Sequence, residues 1–253
     1  MSMSLRYIDQ GDYAVAVVGA ASGIGLTTAQ FLAGQGVRIA CLDRNKEGVE
    51  AAAKSLGGKA IALAVDVTDW NAVKDAIDSV ARQLGKIDAL VNCAGVTGKT
   101  NVPAHEVEID DFDFVYRINL KGAFLLSKAV LPHMLPRKFG RILHVASIAG
   151  KDGNAGMAAY SATKAGLIGL VKTLGKDYAE SGITINGLAP AVIRTPMVDA
   201  LPQATVDYMT AKIPMRRCGE LQEAAELIGW IVSPACSFTT GFTFDLTGGR
   251  ATY

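Results

Sequence analysis

Tyr13-Ala-Val-Ala-Val-Val18-Gly19-Ala20-Ala21-Ser22-Gly23-Ile24-Gly25 is the stretch from which the rest of the chain is best read. The apolar run Tyr13 to Val18, rich in valine, has the length and β-branched character of a buried strand. The glycines after it permit a tight turn and a close backbone approach. The helix that opens near residue 24 presents free N–H groups and positive potential at its start, which suits a pyrophosphate. Strand, glycine turn and helix in that order make Gly19, Ser22, Gly23, Ile24 and Gly25 a candidate dinucleotide cradle.

Short apolar runs continue to alternate with helical patterns to the end of the chain. Strands are predicted at Tyr13 to Val18, Arg38 to Leu42, Ala60 to Val65, Ala89 to Asn92, Arg141 to Ala146, Ile183 to Leu188 and Phe242 to Leu246. Helices are predicted near 24–34, 45–55, 69–84, 110–135, 157–180 and 221–232. Such alternation builds a parallel sheet with crossover helices. The fold class is therefore α/β: a Rossmann-like, doubly wound, parallel seven-stranded sheet in a three-layer α/β/α arrangement. With no linker, repeat or low-complexity segment, residues 1–253 are read as a single domain. Two stretches break the alternation, Val96 to Ile109 and Ala191 to Gly219. Both follow strand ends and carry Pro, Thr and polar residues, so loops or short helices are expected on the carboxyl edge of the sheet, where ligands of such folds bind. The part near Met197 to Met215 is a candidate substrate lid, against the plainer reading of surface packing.

Composition narrows the partners. The 253 residues are 50% hydrophobic and 19% charged, and 25 basic against 24 acidic residues leave a net charge of +1. That balance offers no footprint for nucleic acid or an anionic membrane, and a small-molecule partner is expected. Cys41, Cys93, Cys218 and Cys236 have no Cys-x-x-Cys spacing and the three histidines are scattered, so no metal site is expected. Met1 to Gln10 has no apolar run of the signal-peptide kind, and Leu227 to Phe244, though uncharged but for its flanks, is interrupted by Pro234 and polar residues. A soluble protein of a reducing, cytoplasmic compartment is the expectation.

Further candidate cofactor contacts recur at strand ends. Asp43 closes the second strand, where a carboxylate can accept hydrogen bonds from an adenosine ribose and repel a 2′-phosphate, favouring NAD over NADP. Arg44 beside it argues the other way, since a guanidinium could hold that phosphate, and a helix N-cap is the plain alternative for Asp43. Asp66 and Val67 are positioned to meet adenine with a carboxylate and a backbone N–H. Asn92, Ala94 and Gly95 end the fourth strand, where small residues let the backbone run close to a cofactor.

The chemistry lies in Met157-Ala-Ala-Tyr160-Ser-Ala-Thr-Lys164-Ala-Gly166. Four residues apart on a helix, Tyr160 and Lys164 share a face, so an ammonium can sit beside a phenol and favour its ionised form. A phenol so placed can exchange a proton with an alcohol or a carbonyl. Ser147 follows the fifth strand. Together with the glycine turn, Asn92-Cys-Ala-Gly95, Asn119 and Lys164, this arrangement resembles the short-chain dehydrogenase/reductase family across essentially the whole chain. The resemblance implies that Tyr160 is the general acid/base and that Lys164 binds the nicotinamide ribose and lowers the tyrosine pKa. It further implies that Ser147 holds the substrate oxygen and that Asn119 bends its helix to anchor a proton-relaying water. Pro190, Ile193 and Thr195, with Pro196, would border the nicotinamide. Two departures from the family pattern stand out: Val18 where Thr is usual, and Ala191 where Gly is usual, which requires that position to avoid a left-handed backbone.

For the substrate, Ser147, Tyr160, Lys151, Asn154 and Arg194 are candidate lining residues, with Arg a natural fork for a carboxylate. Asn154 and Arg194 read equally well as surface residues. Ser147 to Asn154, Arg194-Thr-Pro-Met197, Ser237-Phe-Thr-Thr-Gly241 and Gly248-Gly-Arg250-Ala-Thr-Tyr253 are similar to family members that oxidise 2-keto-3-deoxy sugar acids with NAD, the L-fuconate and L-rhamnonate 4-dehydrogenases. The resemblance also implies a homotetramer in which Arg250 completes a substrate pocket, its own or a neighbour's. The small residues Ala158, Ala162, Ala165, Gly166 and Gly169 would let the Tyr160 helix pack at a subunit interface. Two rival readings remain, a 3-oxoacyl carrier-protein reductase using NADPH and a nonenzymatic dinucleotide-binding regulator.

Overall fold

Every residue of β1 (Ala14–Val18) is buried, which a strand allows only when helices cover both faces of its sheet. The computed structural model describes residues 12–57, 60–195, 198 and 203–251. The readings above for Met1 to Gln10, Pro196, Met197 and Tyr253, and part of the lid, fall outside the described residues. The remaining strands are β2 (Arg38–Asp43), β3 (Ile61–Ala64), β4 (Ala89–Asn92), β5 (Gly140–Val145), β6 (Ile183–Pro190) and β7 (Thr243–Leu246). All pair in parallel in the order β3-β2-β1-β4-β5-β6-β7. The order reverses between β1 and β4, and a crevice opens at such a switch point. Val18 is level with both Leu42 and Asn92, so the strand ends meet at one depth there.

Helices α1 (Gly23–Gly34), α2 (Lys46–Ser55), α3 (Trp70–Leu84), α4 (Ile109–Tyr116), α5 (Gly122–Met134), α6 (Ala149–Asp152), α7 (Ala158–Asp177), α8 (Gln203–Ala211) and α9 (Leu221–Ile231) supply the crossovers and the carboxyl-edge cover. Alternate side chains of β1 feed opposite layers, as the period of a strand demands. Ala14, Ala16 and Val18 join Ile77 of α3, Leu126 of α5 and Leu174 of α7. Val15 and Val17 join Leu32 of α1, Val49 of α2 and Ile228 of α9.

Two stretches that bear on the site show how the expected elements are realised. The helix expected over 110–135 is broken by a π-helical turn at Arg117–Lys121, between α4 and α5. Asn119 sits in that turn, and its side chain accepts from Val96 N (2.8 Å) and donates to Val96 O (2.9 Å). One inserted residue wins that two-point bond to a neighbouring loop. The stretch 191–219, expected as loops or short helices, holds the short helix α8 and a bridge between Ile193 and Gly219 where described.

Candidate active site

A cleft of about 500 Å³ follows the carboxyl ends of β1 to β4. Of the residues expected to hold a cofactor, Gly19, Ser22, Gly23, Ile24, Gly25, Asp43, Arg44, Asp66, Val67, Ala94, Gly95 and Thr195 line it. Gly19 has φ +77°, and a Cβ there would stand 2.9 Å from Ala94 N. A Cβ on Gly25 would run into the Gly19 carbonyl. Only bare backbone fits this corner. Ser22 begins α1 with an extended backbone and makes no side-chain cap, and no acidic residue sits in the first turn. The N–H groups at this helix start therefore carry no capping side chain and no acidic residue of the helix's own first turn, which suits a phosphate. The donor set and the space beside it fit a dinucleotide.

Asp43 is more than a free carboxylate at the rim. One oxygen accepts from Ala21 N in the glycine turn (3.1 Å) and the other from Asn45 N (2.9 Å). The N-cap of α2 is Asn45, which accepts from Gly48 N, so the N-cap alternative for Asp43 does not hold. Asp66 accepts from Thr68 N (2.8 Å), steadying the β3 exit. Asn92 lies behind the cleft wall, 2% exposed, and its Oδ1 accepts from Ala94 N (3.1 Å). Pro190 and Ile193 are buried beside the far end: Pro190 O accepts from Ile148 N (2.9 Å). Ala191 has no left-handed backbone, as its missing glycine required.

Gly95 joins this cleft to the second cluster. A Cβ there would lie 3.2 Å from Lys164 Nζ and 3.3 Å from Asn119 Oδ1. Asn119 also donates to Thr163 Oγ1 (3.2 Å), in the turn of α7 between Tyr160 and Lys164. Lys164 is buried, donates to Val145 O at the end of β5 (2.7 Å), and its Nζ stands 5.7 Å from the centre of the Tyr160 ring. Ser147, just past β5, is buried and accepts from Ala149 N (3.1 Å). Asn119, Ser147 and the α7 pair Tyr160 and Lys164 thus converge from three separate segments.

Burial raises the Tyr160 phenol above its usual value, opposed by a hydrogen bond with Ser147. The ammonium pays its own desolvation cost, which lowers Lys164 to about 8.

The substrate end is less uniform. The Lys151 ammonium pairs with Asp245 of β7 (2.8 Å). Arg194 is exposed, and its backbone N–H donates to Gly219 O (2.7 Å). Arg250 reaches Asp152 (3.0 Å) and Asn154 Oδ1 (3.2 Å) within its own chain, and Asn154 N donates to Ser161 Oγ (3.0 Å), next to Tyr160. Sequence reading missed Thr68, Cys93, Phe114, Arg117 and Ile118, all of which line the cleft. For the last three a signal existed, since residues three and four apart share a helix face.

Comparison with known proteins adds to this geometry. The family profile described as short chain dehydrogenase matches residues 13–205. The 2-dehydro-3-deoxy-L-rhamnonate dehydrogenase (NAD(+)) of Sphingomonas sp. strain SKA58 is 44% identical over 237 residues, 94% of each chain. A 3-oxoacyl-acyl-carrier-protein reductase of Thermotoga maritima is 36% identical over 92% of this chain and 95% of its own. The crystal structure of NAD+-bound xylitol dehydrogenase superposes with a TM-score of 0.91 at 34% identity, covering 96% of this chain and all of that one.

Proposed function

The chain belongs to the short-chain dehydrogenase family, and from that premise we propose that it is an NAD-dependent oxidoreductase interconverting a secondary alcohol and a ketone. Its substrate in this reading is a 2-keto-3-deoxy sugar acid such as 2-dehydro-3-deoxy-L-rhamnonate or L-fuconate, oxidised at carbon 4. The substrate class follows the relative at 44% identity over nearly the full length of both chains. The reaction type follows from one observation: Gly95 in the cleft wall lies against Lys164 Nζ, so the dinucleotide end and the Tyr160 cluster meet at one point.

NAD, when bound, supplies the acceptor for the substrate's hydride. Tyr160 takes the hydroxyl proton, and Ser147 donates to the same oxygen, holding it as charge develops. Lys164, anchored on Val145 O, places positive charge behind the phenol, while Asn119 holds the loop at Val96 and the α7 turn at Thr163. Gly19, Ser22, Gly23, Ile24 and Gly25 receive the pyrophosphate, and Asp43 with Arg44, Asp66 and Val67 border the adenosine. Asn154 and Arg250 form the substrate end. We assign the protein to the cytoplasm as a homotetramer. In support, no helix among the described residues is long and apolar enough to cross a membrane, and α7 exposes Ala162, Ala165 and Gly169.

The test follows NADH formation over a panel of 2-keto-3-deoxy sugar acids, polyols and hydroxyacyl thioesters, with NAD and NADP compared. Preference for sugar acids with NAD supports the reading. Turnover of thioesters with NADP would favour the reductase chemistry of the 36% relative, with Arg44 rather than Asp43 setting the cofactor. Binding without turnover of any substrate would favour a regulator.

A further inference from the structure

His144 takes no part in the reaction proposed above, yet it is fully buried on β5, level with Asn92 of β4 in the strand register. Its Nδ1 lies 3.1 Å from Asn92 Nδ2, and its Nε2 lies 2.8 Å from Ser127 Oγ on α5. The direction of each bond can be deduced. Ala94 N–H can only donate, so the Asn92 oxygen faces it and the Asn92 amide NH₂ faces the imidazole. His144 Nδ1 must therefore accept, which leaves the ring proton on Nε2, donated to Ser127 Oγ. Ser127 is free to pass its own proton to Ala123 O (3.0 Å). The four groups form one chain of donors running from the cleft wall to the start of α5.

We propose that His144 is a positioning residue: as the neutral imidazole protonated on Nε2, it fixes the Asn92 carboxamide and, through Ala94, the Cys93–Gly95 turn that walls the cofactor cleft. The inference rests on the dinucleotide reading of that cleft. The turn it steadies is the one packed against both Gly19 and the Lys164 ammonium, so a small shift there reaches both ends of the site. A second proton on the ring would place a donor on Nδ1 against the Asn92 NH₂. Burial and the nearby Lys164 charge both resist that proton, lowering His144 to about 3.

Two measurements test this. In the protein labelled with 15N-histidine and free of cofactor, the His144 resonances, assigned by their loss in His144→Asn, are expected to show a neutral ring with Nδ1 bare at about pH 7. A ring protonated on Nδ1, alone or on both nitrogens, overturns the proposal. In NADH titrations, His144→Leu is expected to bind about tenfold more weakly, the size of one unmade buried hydrogen bond. His144→Asn, which restores an acceptor to Asn92, is expected to recover most of that loss. A leucine variant that loses thermal stability but binds NADH as the parent does would reduce His144 to packing, and an asparagine variant no better than leucine would do the same. Should the leucine variant fail to fold, the tautomer and the asparagine titration still decide. Absence of NADH binding by the parent protein would instead overturn the cofactor reading, a result the cofactor-free tautomer does not depend on.

Discussion

Burial works against Tyr160 as a base, raising its phenol, and the charge meant to help it is itself expensive to bury. Lys164 falls from 10.5 to about 8 in the folded protein, so between those values the unfolded chain holds a proton that the folded chain does not. Stability therefore rises with pH across that window, and below it the full desolvation penalty stands, about 3 kcal/mol from this one group. We expect Lys164→Met to be relatively more stable than the parent at neutral pH and to lose that advantage as the pH climbs through the window. Thermal denaturation of both proteins across the range checks it; a constant difference would show that Lys164 is not held as described. The spacing of this residue pair drew attention to it, and the motifs around it with the family resemblance gave it its expected role. Its charge state was not legible, because the desolvation depends on β5 and the Cys93 turn, both distant in sequence.

Elements were legible wherever one physical signal dominated. β4 matches its expected range, and most other boundaries shift by one or two residues, since apolar runs mark the buried part of a strand rather than its last hydrogen bond. A bend at Asn119 was implied by the family resemblance but not by the helical pattern, which carries no trace of Val96, the partner that Asn119 meets across a chain separation of 23 residues. α8 falls in a stretch expected to hold loops or short helices, with its bounds not given by the sequence pattern. At the glycine turn, by contrast, local sequence and tertiary contact agree. Alanine at Gly19 would force a left-handed backbone, at about 1 to 2 kcal/mol, before any clash with Ala94. We expect Gly19→Ala to lower the thermal midpoint and to weaken NADH binding more than tenfold, a drop of at least about 1.4 kcal/mol in binding. Parent-like values in both calorimetry and NADH titration would contradict the tight contact between β1 and β4 exits.

Over the whole molecule, the sheet order places the candidate cofactor residues mostly near the ends of β1 to β4 and the candidate chemical residues after β5, on α7 and in the π-helical turn, and the chain near Arg250 returns to meet Asp152 and Asn154. Arg250 ties that tail to Asp152 and Asn154 of its own chain across 98 and 96 residues of sequence, an approach that only the family resemblance suggested and that it left open between one chain and its neighbour. Removing this guanidinium should loosen the substrate end while leaving the cleft intact. Arg250→Met is expected to raise the KM for a sugar acid roughly tenfold, as loss of a charge-assisted bond does, with NADH affinity unchanged. Equal loss of both affinities would mean that the tail supports the fold rather than the substrate. The central claim is that the cleft delivers its dinucleotide to a proton-transferring Tyr160, and Tyr160→Phe addresses it with little change in packing. In assays of NADH formation from a 2-keto-3-deoxy sugar acid, the phenylalanine protein should lose at least about a hundredfold in kcat while binding NADH as tightly as the parent. Parent-like turnover in that protein would contradict the account.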